Sequence, residues 1–109
     1  MYDANGVDVD HREDMAAYVI VELDVHDAAT FEEYRTQVPA TIARYGGRYL
    51  VRGGKAETIE GGWTPKRMVV LEFPSVEQAR KFYDSADYAP QKALRLRSAH
   101  CKMILVEGV

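Results

Sequence analysis

The chain has 109 residues, 47% of them hydrophobic and 28% charged, with a formal net charge of −3; that is the length of one domain and the composition of an ordinary globular protein. No run approaches the roughly 18 apolar residues that a membrane-spanning helix needs, so no membrane partner is expected. The charge is uneven, −4 over residues 1–14 and +1 over the rest, and a nearly neutral body has no basic stripe for nucleic acid to follow.

Residues 1–14, MYDANGVDVDHRED, hold five acids and no apolar periodicity. They read as an acidic extension, disordered or loosely docked, ahead of a single domain over residues 15–109. The extension lacks the apolar core of a signal peptide, and the single cysteine, Cys101, has no intramolecular disulfide partner. A reducing, cytoplasmic location is the expectation.

The segment from Ala17 to Asp24, AYVIVELD, is short and rich in β-branched residues, as a strand should be. Asp27 or Thr30 can cap the following helix, Thr30 with Glu33 as a capping box. Phe31, Tyr34, Val38, Ile42 and Tyr45 then recur every three or four residues on one stripe. Pro39 interrupts the stripe and predicts a kink or a restart, because proline has no N–H to donate and its ring crowds the preceding turn. Gly46 and Gly47 end the helix, and Arg48 to Arg52 form a second strand.

From Tyr49 to Phe73 the sequence YLVRGGKAETIEGGWTPKRMVVLEF reads as a hairpin with a long, shaped connection: two apolar runs separated by two Gly-Gly pairs. Gly53 and Gly54 can take the positive φ of a bulge. Ala56 to Glu60 has the alternation of a short, half-exposed strand. Trp63, between flexible glycines and Pro65, either plugs the core or lines a pocket. Arg67 to Phe73 is the strand that closes the hairpin.

Ser75 and Gln78 make a second capping box, and Val76, Ala79 and Phe82 a second buried stripe. Asp87 to Pro90 breaks the chain, with Pro90 in the first turn of a short third helix ending at Leu94. Cys101 to Val106 is the last strand. The order β-α-β-β-α-β predicts an α+β, ferredoxin-like fold: a four-stranded antiparallel sheet with its helices on one face.

Both faces of that sheet are apolar. Tyr18 and Ile20 oppose Val19, Val21 and Leu23; Met68 and Val70 oppose Val69, Leu71 and Phe73; Ile104 and Val106 oppose Met103 and Leu105. One layer of helices covers one face, so a homodimer joined sheet to sheet is expected to cover the other.

The runs GGRYLVRGG, EGGWTPKRMVVLEFPS and FYDSADY resemble the family of domains of unknown function numbered 1330, over about Met15 to Val109. The resemblance implies a dimeric α+β barrel with a ligand cleft between sheet and helices. The wider superfamily includes cofactor-independent monooxygenases, muconolactone isomerases and haem-handling enzymes, so it does not select an activity.

Candidates for chemistry in such a cleft are few. Arg52, Arg67, Arg95 and Arg97 can fork two donors toward a carboxylate or enolate, or serve as solvated or ion-paired charge; Arg52 and Arg67, which bracket the hairpin, come first and Arg95 third. Tyr88, in the break before Pro90, offers a phenol to a polar ligand; Tyr34, Tyr45, Tyr49 and Tyr83 lie on periodic faces and read as core with a polar tip. His100, at the start of the last strand, is the candidate proton carrier. No His, Cys or carboxylate spacing suggests a metal, and no cofactor is expected. Two classes remain: a small enzyme of the oxygenase or isomerase kind acting on an apolar, anionic or enolic metabolite, and a non-catalytic dimer that binds a ligand or partner. A ring-sized pocket containing a histidine favours the first; a cleft filled by side chains favours the second.

Overall fold

A computed structural model describes residues 4 and 15–109; the acidic extension falls almost entirely outside the described residues. Seven elements follow in order: β1 (Ala17–Val25), α1 (Ala28–Arg44), β2 (Arg48–Gly54), β3 (Arg67–Phe73), α2 (Val76–Asp84), α3 (Ala89–Ser98) and β4 (Ala99–Glu107). The strands form one antiparallel sheet in the order β2-β3-β1-β4. This is the expected ferredoxin-like arrangement with an added helix. No helix among the described residues is long and apolar enough to cross a membrane.

Register sorts the side chains into two faces. Val19, Val21 and Leu23 align with Leu71, Val69 and Arg67 on one side and with Leu105, Met103 and Cys101 on the other. This row faces the helices and meets Phe31, Val38 and Ile42 of α1 and Ala79 and Phe82 of α2 in the buried core. Tyr18, Ile20 and Glu22 align with Glu72, Val70 and Met68 and with Val106, Ile104 and Lys102, on the face that carries no helix.

Asp27, rather than Thr30, caps α1: its carboxylate accepts from the Thr30 backbone N–H at 3.2 Å and the Thr30 hydroxyl at 2.7 Å. The helix runs unbroken through Pro39, without the expected restart. The carbonyl that proline leaves unbonded, that of Arg35, instead accepts from Arg52 Nη2 at 2.8 Å. Gly46 takes φ +82 at the end of the helix, and next to it a Cβ on Gly47 would lie 2.6 Å from the Phe73 ring, so only glycine lets the chain pass.

The register of β2 against β3 shifts twice, between Tyr49 and Val51 and between Arg52 and Gly54. At the second shift Gly53 adopts φ +74, as a bulge requires. Ala56 to Glu60, expected as a short strand, is irregular instead; it has no neighbouring strand to bond, and alternation alone does not hold a strand. The third helix continues past Leu94 to Ser98, because Arg95 and Ser98 fall on its buried face.

Candidate functional site

Between the helix-facing row of the sheet and the helices lies a cavity of about 630 Å³, within the range of small-molecule sites. Its floor is Val19, Val21, Val69 and Leu71, its roof Phe31, Tyr34 and Val38 of α1, and its far wall Phe82, Tyr88 and Arg95.

Tyr88 is placed by packing and by the turn between α2 and α3. Its ring lies 4.3 Å from that of Phe82, which lies 5.3 Å from Phe73, so an aromatic column runs from the sheet into the cleft. Its backbone N–H donates to Ser85 Oγ at 3.1 Å. The neighbouring Asp87 accepts from Tyr45 Oη at 3.0 Å and pairs with Arg44 at 3.3 Å, tying the turn to the end of α1. Tyr88 is 1% exposed.

Arg95 arrives from α3, one turn beyond Gln91, whose amide donates to Thr41 Oγ1 at 2.9 Å and docks α3 on α1. Arg95 is 3% exposed and lines the cavity. Its Nε donates to Tyr88 Oη at 3.2 Å, and Tyr88 Oη in turn lies 3.3 Å from Tyr34 Oη. Two phenols and a guanidinium thus form one chain at the cleft wall. Burial works against the charge on Arg95, but the Tyr88 phenol and the Cys101 thiol outweigh it and its pKa is raised; it is a cation. Burial, then Tyr88, push the Tyr34 phenol well up, so it keeps its proton. Burial also raises Tyr49, against the pull of Arg52. No carboxylate among the described residues pairs with Arg95.

The other residues singled out in the sequence divide. Arg52 and Arg67 line the cavity. The Arg52 guanidinium lies 4.8 Å from the Tyr49 ring centroid while holding the Arg35 carbonyl, and that of Arg67 lies 5.3 Å from the Phe31 ring centroid. Trp63 does not line the cavity. It is 58% exposed, and its Nε1 donates to Glu22 Oε2 at 2.8 Å on the helix-free face. His100 is exposed at the start of β4, opposite Asp24, with its ring 4.9 Å from that of His26; neither histidine lines the cavity. No group of three potential metal ligands occurs among the described residues.

Tyr34 is the cleft residue that the pattern hid, because it sits on the same stripe as Phe31 and Val38. Its distinguishing mark, shared on that stripe only with Tyr45, is a hydroxyl on an otherwise apolar row.

The profile of the family described as Domain of unknown function (DUF1330) matches residues 16–109. Among curated proteins, no sequence matches. Among solved structures, a protein of unknown function from Rhodopseudomonas palustris is similar with a TM-score of 0.72 at 14% identity, over 88% of this chain and 84% of that one. A protein from Bacteroides thetaiotaomicron described as a possible oxidoreductase gives 0.59 at 14% identity, over 86% and 98%. SnoaB, a cofactor-independent oxygenase from Streptomyces nogalater, gives 0.55 at 15% identity, over 84% and 90%. Likeness at these identities establishes the fold alone.

Proposed function

This chain belongs to the DUF1330 family of domains of unknown function, and from that premise we propose that it binds a small apolar molecule bearing an anionic or enolic oxygen in the sheet–helix cleft, as one half of a cytoplasmic homodimer. The observation that carries the reading is Arg95, a buried cation that faces the cavity with no carboxylate partner among the described residues. Taking a charge out of water is costly unless something compensates it. Tyr88 accepts one hydrogen bond from it but supplies no full countercharge; in this reading a ligand anion supplies that charge, with Tyr88 and Tyr34 completing the hydrogen bonds.

An open cleft of ring size supports ligand binding over a pure interaction module. The likeness in fold to a cofactor-independent oxygenase supports a catalytic extension. Without a cofactor, an oxygenase draws electrons from its substrate, and an enolate held by a guanidinium is such a source. Proton abstraction is less well supported. His100 stands outside the cleft, and the one lining carboxylate, Glu32, is engaged by Arg35 at 3.3 Å. The catalytic extension therefore applies to ligands that arrive already ionised. Arg95 and Tyr88 take the ligand oxygen, Arg52 and Arg67 edge the cleft, and neither Trp63 nor His100 has a part in binding.

The test is a thermal-shift titration with benzoate, a ring with one carboxylate. The wild-type midpoint rises with benzoate by mass action, and the midpoint of Arg95→Met stays fixed. A wild type that does not respond, or a variant that responds equally, removes the reading.

A further inference from the structure

The cleft holds more positive charge than one anionic group needs. Five arginines line it, Arg35, Arg52, Arg67, Arg80 and Arg95, against Glu32 alone, in a chain whose net charge is −3. Arg35 pairs with Glu32, and Arg52 is committed to the Arg35 carbonyl. The other three have neither a carboxylate nor a carbonyl partner among the described residues; Arg80 is an exposed residue of α2, while Arg67, itself exposed, and the buried Arg95 border the sheet floor.

These two stand on opposite sides of one patch of apolar floor. In the register, Leu23 of β1 lies between Arg67 of β3 and Cys101 of β4, and Arg95 comes from α3, which packs against β4. The backbone of Arg67 and the strand under Arg95 are therefore two strand spacings apart, roughly 10 Å. Leu23 and Val21 form the floor between them, and Phe31, against which Arg67 lies, forms the roof. Arginines from the two sides of an apolar floor match a molecule that carries an acid at each end of an apolar body.

Resting on the reading above, we infer that the ligand is two-ended: a single ring, or an apolar body of that length, bearing two acidic groups. One group binds Arg95 and Tyr88, and the other binds Arg67. The arginines thus select chain length and charge number, while the floor and roof select the apolar middle.

Isothermal titration of benzoate and terephthalate, which differ by one carboxylate at the far side of the ring, tests this. The wild type binds terephthalate about tenfold or more tighter than benzoate, the worth of one charged hydrogen-bonded pair. Arg67→Gln brings the two affinities together by weakening terephthalate and leaving benzoate unchanged. Arg97→Gln removes an equal charge from the exposed side of α3 and preserves the preference. If benzoate binds and terephthalate binds no tighter, the two-ended inference fails and the single anion site at Arg95 stands. If the preference survives Arg67→Gln, Arg67 is not the second anchor and the inference also fails. If neither compound binds, both readings fall.

Discussion

Arg95 puts folding and binding in opposition. The guanidinium is buried with one hydrogen bond to the Tyr88 hydroxyl and no carboxylate among the described residues to balance its charge, and a buried charge without a counter-ion costs stability that a hydrocarbon of similar volume does not. Met at this position fills the space and leaves the bond between Tyr88 and Tyr34 in place. Arg95→Met is therefore expected to stabilise the ligand-free protein by about 1–2 kcal/mol. Scanning calorimetry without ligand would record this as a midpoint several degrees higher, at about 4–8 °C per kcal/mol for a domain of this size. A lower midpoint would mean that Arg95 has a compensating partner in the empty protein and is not held open for a ligand. In the sequence, Arg95 stood among several arginines because the third helix reads as ending at Leu94. Only with that helix extended to Ser98 do Arg95 and Ser98 join Gln91, which docks on α1, on one inward face. Arg52, Arg67 and Tyr88 were visible as strand-end or loop residues with polar heads. Trp63 was conspicuous for its size, and size does not indicate which side of a sheet a loop crosses.

At the level of elements, Pro39 and Arg52 form a coupled pair. A proline inside a helix leaves the carbonyl four residues earlier without its donor, and Arg52 supplies one from the neighbouring strand. Removing Arg52 in the presence of Pro39 strands that carbonyl, at a cost of about 0.5–1 kcal/mol for an exposed bond. In a Pro39→Ala background the backbone N–H restored by the substitution reaches the Arg35 carbonyl, so Arg52→Met costs close to nothing. A urea double-mutant cycle should return a coupling of about 0.5 kcal/mol or more; equal costs in the two backgrounds would break the pairing. The four strands of the sheet, the α1 stripe and both of the first two helix starts were legible because they depend on local composition, local periodicity and local hydrogen bonds. The continuity of α1 was not, since the donor that repairs it lies in β2. Residues 56–60 failed in the opposite sense: the alternation is there, but a strand exists only where another strand bonds to it.

On the scale of the whole molecule, the helix-free face of the sheet has the anatomy of an interface. Its centre is Ile20 between Val70 and Ile104, with Val51 beyond Val70 on the edge strand. Toward one end lie Glu22, Lys102, Asp24 and His100, and toward the other Glu72, which accepts from Arg48 Nε at 2.8 Å. An apolar middle bounded by charged ends is what buried interfaces carry, and a solvated face does not need it. Ile104 is 57% exposed in the single chain, and Val51 and Val106 are exposed with it. A second copy laid on this face would shield all three, and a standard interface asks about 800 Å² from each partner, which the exposed face of a four-stranded sheet can supply. Small-angle scattering at micromolar concentration is expected to return twice the mass of one chain. Ile104→Asp places a charge in the middle of the apolar patch, where association would bury it. The variant should scatter as a single chain with its far-UV circular dichroism unchanged, because the substituted side chain is solvent-exposed before association. A wild type of single-chain mass would leave the outer row of apolar residues without a cover.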